Sequence, residues 1–300
     1  RYYAHHDGEA ATVAEALDSH YQPRFGGDCI AADQLGQVLA VAERLDTLAG
    51  IFAVGMKPGG NKDPFALRRA ALGLARTLIE GGLELDLRGS FIEALELLPD
   101  SALAAGLKPG KDGKRPSLNA GERRAILLDE LCEFVFERLR GYYAEQGFAH
   151  APFESVLAVQ PTSLVDFDRR LRAVVEFGRC PQAASLAAAN KRVANILRKQ
   201  AEEADAPPIG RTVDPAHFEA DAERELAVAL ADARRDSATA LAAGDYAAVL
   251  ARLAQLQVPV DAFFDSVLVN DDDPDVRANR LALLNQLKTQ FGTVADIALL

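Results

Sequence analysis

Apolar positions recur at helical spacing along almost the whole chain. Val13, Leu17 and Tyr21 step at i, i+4 and i+8, and Leu35, Val38, Ala42, Leu45 and Phe52 trace one stripe of a longer helix. Asn61-Lys62-Asp63-Pro64 reads as a helix start. Asp63 can cap free N–H groups, and proline at the first helical position gives up no hydrogen bond. The helix it predicts runs through Leu67, Ala71, Leu74 and Leu78 to a stop at Gly81-Gly82. A long helix is expected over about 122–146, with Ile126, Leu127, Leu131, Phe134, Val135 and Leu139 turned inward. Two more are expected over 163–178 and 184–200, split near Cys180-Pro181, and the last third predicts helices at about 216–243, 245–256, 260–268 and 274 to the end. Asp273-Pro274 repeats the cap-and-proline device of Asp63-Pro64. Residues 106–121, rich in Gly, Pro and Lys, are expected to form a mobile loop, and 202–215 a polar connector. No β-type alternation stands out. The expectation is a mainly α protein of two helical domains, 1–180 and 181–300.

Composition changes this picture little. With 49% hydrophobic and 26% charged residues, the 300-residue chain falls in the soluble globular class. It contains no run of about 20 apolar residues, so no membrane partner is expected. Cys29, Cys132 and Cys180 are isolated thiols, which argues against a disulfide framework or zinc knuckle and suggests a reducing cytoplasm. The chain opens on Arg1 and its only methionine is Met56, so it is expected to be a piece of a longer protein.

Charge matters more once it is divided. The net −11 comes from residues 201–275, which hold 17 Asp/Glu against 5 Lys/Arg, while the remainder is close to neutral. A local basic face therefore remains possible. The best candidate is SLAAANKRVANILRKQ (185–200), whose sixteen residues carry four cations and no acid. Leu186, Ala189, Val193, Ile196 and Leu197 would form its buried side. Asn190, Lys191, Arg192, Asn195, Arg198 and Lys199 would face phosphates or unpaired bases, or simply water. Arg277, Asn279 and Arg280 open the final helix. Arg68, Arg69 and Arg76 could bind phosphate or pair with acids across a helix interface.

The stretch His5-His6-Asp7 raises a metal question, because imidazole and carboxylate together suit divalent ions. An H…HD…D hydrolase pattern would need an earlier His and a later Asp, for which Asp46 is the best candidate. Two ligands of four is a weak signal, and partly exposed residues beside Gly8 explain the stretch as well. Residues 271–287 lack the alternate ligands, glycine and terminal glutamate of a calcium loop. No Ser-His-Asp triad, phosphate-cradling glycine loop or dinucleotide fingerprint is visible, so no catalytic residue is assigned.

HYQPRFGGD, AERLDTLAGIF, NKDPFALRRAALG, SLAAANKRVANILRK and VDAFFDSVLVNDDDPDVRANRLALLNQL closely resemble the C-terminal half of the bacterial glycyl-tRNA synthetase β subunit. The resemblance covers essentially the whole chain. It implies an HD-like helical domain over 1–180, followed by an anticodon-binding helical domain over 181–300 similar to that of arginyl-tRNA synthetase. It also implies glycine tRNA and the synthetase α subunit as partners, with ATP and Mg acting at the α subunit, no cofactor in this chain and no DNA partner. His6-Asp7 and Asp46 would then be remnants of the HD pattern. Lys191, Arg192, Arg198 and Lys199, with Arg277 and Arg280, would flank one anticodon loop. Two other readings stay open. One is an HD-type metal-dependent phosphohydrolase using His6, Asp7 and Asp46; the other is a helical scaffold that only holds the α subunit.

Overall fold

The computed structural model describes residues 1–106, 118–202, 209–210 and 212–300, and among these there are helices and turns but no β-strand. Packing divides the chain into two compact units, Arg1–Gly147 with Thr162–Val165, and Phe148–Pro161 with Asp166–Leu300. Packing thus joins residues 166–180, which the sequence reading grouped with the first domain, to the C-terminal unit. Pro181 does separate two helices, but the helix before it is anchored to the C-terminal helices. The expected loop over 106–121 falls largely on residues outside those described, as do 203–208 and 211 of the expected connector.

The first unit holds α1 (Tyr2–His6), α2 (Ala11–Ser19), α3 (Gln34–Ala53), α4 (Leu67–Gly81), α5 (Leu87–Glu96), α6 (Asp100–Ala105) and α7 (Ala120–Glu145). α3 is its centre and touches α2, α4, α5, α6 and α7. Leu48, Leu74, Leu78, Phe91, Leu131, Val135 and Leu139 are fully or almost fully buried, each such side chain stabilising the fold by about 1.5–3 kcal/mol. α7 starts with a reciprocal capping box, in which Asn119 accepts from the Glu122 N–H and Glu122 accepts from the Asn119 N–H. Ile126 stays exposed and Phe134 half-buried on that helix, so its inward face is narrower than the pattern predicted.

Two further expectations shift. The apolar stripe of α3 is buried only at Phe52, while Leu35, Val38 and Ala42 are exposed. The face that packs is instead Gly36, Ala40, Val41, Arg44, Leu48, Ala49, Phe52 and Ala53, in which small residues admit neighbouring helices closely around one arginine. The other shift concerns the start of α4. Pro64 is not its first residue: Ala66 takes a left-handed conformation (φ 54°) and the helix begins at Leu67. Asp63 still caps it from outside the turn, accepting from the Leu67 and Arg68 N–H groups at 2.8 and 2.9 Å.

Two buried arginines hold the segment between α2 and α3. Arg44 donates to the carbonyls of His20, Tyr21, Gln22 and Ala40, at 2.9–3.2 Å. Arg76 donates to the carbonyls of Gly26 and Asp28 and pairs with Glu80 at 2.6 Å. The sequence left Arg76 open to phosphate, but the fold uses it internally.

The second unit holds α8 (His150–Leu157), α9 (Leu164–Phe177, from Asp166 onward), α10 (Ala183–Glu202), a short turn at Pro215–His217, α11 (Asp221–Ala242), α12 (Tyr246–Ala254), α13 (Gln257–Ser266), α14 (Pro274–Gly292) and a last turn at Ile297–Leu299. α14 is buried on several sides through Val276, Leu281, Leu283, Leu284, Leu287 and Phe291, as the innermost helix of a bundle should be. Asp273 caps it with Pro274 in the first turn, as the sequence predicted. α9 belongs here because Phe167 meets Phe153 edge-on at 4.9 Å and Arg170 reaches the chain end. The Arg170 guanidinium donates to the carbonyls of Thr293 and Val294, pairs with Asp166 and lies over the Tyr246 ring. Tyr246 donates its hydroxyl to Asp166, and burial together with this bond pushes that hydroxyl's pKa up to about 12.

The packing around Arg44 yields a paired test. A Cβ added at Gly73 would stand 2.7 Å from the Arg44 Nε, whereas one added at Gly50 would meet nothing within 4 Å. Gly73→Ala is expected to destabilise the protein by about 1–3 kcal/mol. Gly50→Ala, inside α3, should stabilise it by about 0.5–1 kcal/mol. Urea unfolding of both variants beside the unaltered protein measures the two opposite shifts.

Candidate nucleic-acid interface

α10 is two-sided by arithmetic. At about 100° per residue, Ala183, Leu186, Asn190, Val193 and Leu197 fall within an arc of roughly 80°, and these are its buried residues. Lys191, Arg192, Asn195, Arg198 and Lys199 fall within roughly 120° on the opposite side, and all five are exposed. The buried seam packs on α13, α14 and the last turn, which fixes the helix and leaves the cationic arc outward. From Lys191 to Lys199 the arc runs about 12 Å along the axis.

The exposed members are differently occupied. Arg192 stacks its guanidinium over Phe264 of α13 at 4.4 Å from the ring centre, which holds the side chain in a defined place. Arg198 makes a solvent-exposed pair with Glu202 at 3.2 Å, of the weak i, i+4 kind that a phosphate can displace. Lys191, Asn195 and Lys199 have no hydrogen-bond or ion-pair partner among the described residues. Arg179, just ahead of α10, is also exposed; it lies outside the helical period, so periodicity offers no reason to select it.

Three residues expected at the interface are not there. Asn190 is buried and donates its amide to the Leu186 carbonyl at 2.9 Å. Asn279 is buried and clasps the backbone of Asp214 in both directions, accepting from its N–H at 2.8 Å and donating to its carbonyl at 3.0 Å. Arg280 is buried against three carboxylates. In each case an inward-facing polar group found its acceptors inside the protein, where leaving it unpaired would cost more. Arg277 is half-buried in the first turn of α14. Arg68 and Arg69 belong to the first unit: Arg68 donates to the Gly60 carbonyl at 2.7 Å, and Arg69 is exposed. His6, Asp7 and Asp46 are exposed, and among the described residues no three His, Cys, Asp or Glu side chains gather as a metal site would require.

Comparison with known proteins bears on what such a face is for. A family model described as glycyl-tRNA synthetase beta subunit matches residues 1–158. The chain belongs to that family. A second model, described as DALR anticodon binding domain, matches residues 186–297, wholly inside the second unit and including most of α10 and all of α11 to α14. The chain is 50% identical to the glycine–tRNA ligase beta subunit of Xanthomonas campestris pv. campestris over 99% of its length, and 47% identical to that of Pseudomonas aeruginosa over 100%. It is 44% identical to that of Xylella fastidiosa over 99%. In each case it spans only about 40% of the relative's length.

Within the part matching the DALR model, acids and bases are sorted. Most cations of α11 and α12 are taken up by neighbours, Arg224 by Asp221, Arg235 by Asp232 and Asp236, and Arg252 by Asp236, while Arg234 stays exposed with no ion pair among the described residues. Glu223 is fully buried at the start of α11, where it accepts from the Glu219 and Ala220 N–H groups and from Arg280 at 2.7 Å. Burial opposes the charge on Glu223, but the Arg280 guanidinium and the two N–H groups outweigh it and hold the carboxyl below the ordinary range. Arg280 also reaches Asp271, Glu219 and the Leu268 carbonyl, so one side chain ties α14 to α11 and to the segment after α13.

Because the folded pKa of Glu223 is depressed, its contribution is complete above the unfolded glutamate value of about 4.3 and is lost as pH falls through the lower folded value. Glu223→Gln should therefore lower stability at pH 7 and flatten the loss of stability on acidification below about pH 4. Arg280→Ala should cost about 3–5 kcal/mol, because it strands a buried carboxylate. Urea midpoints across a pH series measure both.

Proposed function

We propose that this chain is the tRNA-binding portion of a glycine–tRNA ligase beta subunit, holding glycine tRNA so that the alpha subunit, with its ATP and Mg, can aminoacylate it. The carrying observation is the outward arc of α10: four cations and an amide from Lys191 to Lys199, with Glu202 at the helix end as its one acid, on a helix fixed by its opposite face, within the region matching an anticodon-binding domain. Lysine and arginine neutralise phosphates, and amide and guanidinium groups read the edges of unstacked bases in a loop. The names of the relatives support glycine tRNA as the cognate ligand.

Mechanistically the chain positions and forms no bond. Holding the anticodon end fixes where the 3′ end of tRNA can go, and the gain in rate is one of proximity. The acidic helix α11, most of whose cations are already paired, disfavours phosphate and leaves the basic side of the unit for RNA.

Titration of glycine tRNA and one non-cognate tRNA across a salt series tests the reading. Tighter cognate binding that weakens with salt is expected. Lys191→Ala combined with Arg198→Ala should weaken it at least about tenfold, the loss of one charged hydrogen bond, and flatten the salt slope by about 0.7–0.9 for each phosphate no longer neutralised. Equal binding of both tRNAs would leave only a generic electrostatic platform, and binding of neither would leave the chain as a scaffold for the alpha subunit.

A further inference from the structure

A second collection of cations lies in the first unit, outside the region matching the anticodon-binding model. The segment between α2 and α3 passes over the first turn of α4 and the later turns of α7, and a recess opens there. Its rim cations are Arg24, Arg68, Arg69 and Arg138, and Phe25, Leu72 and Tyr142 line it with them. Two carboxylates, Glu137 and Glu145, also border it. Glu137 is already paired with Arg138, so the recess keeps an excess of positive charge.

What gives this recess shape is the internal use of other arginines. Arg44 fixes the carbonyls of residues 20–22 and Arg76 those of 26 and 28. Asp28 closes the turn by accepting from the Arg24 and Cys29 N–H groups at 2.7 and 3.0 Å. Arg24 and Phe25 therefore stand at the tip of a loop pinned on both sides, with Phe25 65% exposed. A phenylalanine on a held loop gains nothing from the fold by facing water, and a ligand that covers it does gain.

The rim residues differ in freedom. Arg69 is exposed and has no partner among the described residues. Arg24 makes a long, exposed pair with Asp18 at 3.9 Å and an exposed 3.4 Å hydrogen bond to the Asp18 carbonyl. Arg138 lies against the Phe134 ring and keeps its Nε buried with no hydrogen-bond partner among the described residues. Tyr142 is set by a hydrogen bond to Glu80 and by Arg76 above its ring. The rim is all arginine, with no lysine. Planar forks suit phosphodiester oxygens, and exposed aromatic faces beside them suit unstacked bases.

We infer that this recess is a second RNA-binding surface, in which Arg24 and Arg69 hold phosphates of the sugar–phosphate backbone and Phe25 offers a stacking face. The inference rests on the tRNA-binding reading and adds a residue set on the other unit. The observations favour RNA over an acidic protein surface because forks and an exposed ring occur together on a preset loop.

The test compares four forms of the 300-residue chain with glycine tRNA as probe, over a salt series. They are the unaltered protein, Arg24→Ala with Arg69→Ala, Arg24→Lys with Arg69→Lys, and Phe25→Ala. The double alanine variant should bind about tenfold or more weaker, with a salt slope flatter by about 0.7–0.9 for each phosphate no longer neutralised. The lysine variant should recover the slope but only part of the affinity, and Phe25→Ala should weaken binding without altering the slope. Thermal unfolding of each variant, expected to stay at the unaltered midpoint, separates a weakened interface from a damaged fold. If the double alanine variant binds as the unaltered protein does while Lys191→Ala with Arg198→Ala weakens binding, the inference is overturned and the recess passes to an acidic protein partner. If neither pair matters, the tRNA-binding reading itself falls. If only the Arg24 and Arg69 pair matters, the inference stands and the α10 interface does not.

Discussion

A guanidinium has five N–H donors and a charge it does not give up, so burying one obliges the fold to bring acceptors to it from several directions. This chain accepts that constraint repeatedly. Arg280 gathers Glu223, Asp271, Glu219 and a backbone carbonyl, and thereby sets the start of α11 and the segment after α13 against α14. Arg44 does the same with carbonyls alone, and Arg170 with two carbonyls and a carboxylate. Such groups add modest net stability when satisfied and are severely destabilising when half-satisfied. Their service is geometric: each fixes irregular backbone that helix packing alone would leave loose.

That constraint also decides which cations remain for a ligand. An arginine with its donors filled inside the protein cannot hold a phosphate without breaking the fold. Arg44, Arg76, Arg170 and Arg280 are thereby removed from the candidates, and the pairs on α11 and α12 remove more. Beside single exposed cations such as Arg234 on α11 and Lys288 on α14, what survives is grouped on α10 in one unit and on the loop, α4 and α7 in the other. The net negative charge of the chain is thus compatible with two local basic surfaces, because most of its acid is either paired or confined to other helices.

Helices were legible in the sequence because burial on one side writes a period of 3.6 into the apolar residues; α9 and α10 lie within a few residues of their expected spans, and α14 starts where expected but ends at Gly292. Caps that use one side chain and the next N–H groups were legible too, as at Asp273. What periodicity cannot show is which polar residue of a helix looks inward. Asn190, Asn279 and Arg280 resemble an outward polar face in one dimension, and for the last two only the distant Asp214, Glu219 and Glu223 reveal that they are anchors. The packing face of α3 was hidden for a related reason. It mixes small residues with Val41, Leu48 and Phe52 around Arg44, so the stripe of Leu35, Val38 and Ala42 is not its buried one. The division near Gly147 was hidden because it depends on Phe153 meeting Phe167, a pairing that leaves no local break in pattern.

Both basic surfaces share a design that follows from the same constraint. An exposed cation on a mobile segment loses conformational freedom when it binds, and that loss subtracts from affinity. On α10 the backbone is held by the buried seam, and Arg192 is further held by the Phe264 ring. On the loop between α2 and α3 no helix supplies rigidity, so buried guanidiniums from α3 and α4 supply it through five backbone carbonyls. The arginines that never meet a ligand are therefore the reason that others can meet one at low entropic cost. In this chain an arginine's role is set less by its charge, which is common to all, than by which side of the backbone its acceptors lie on.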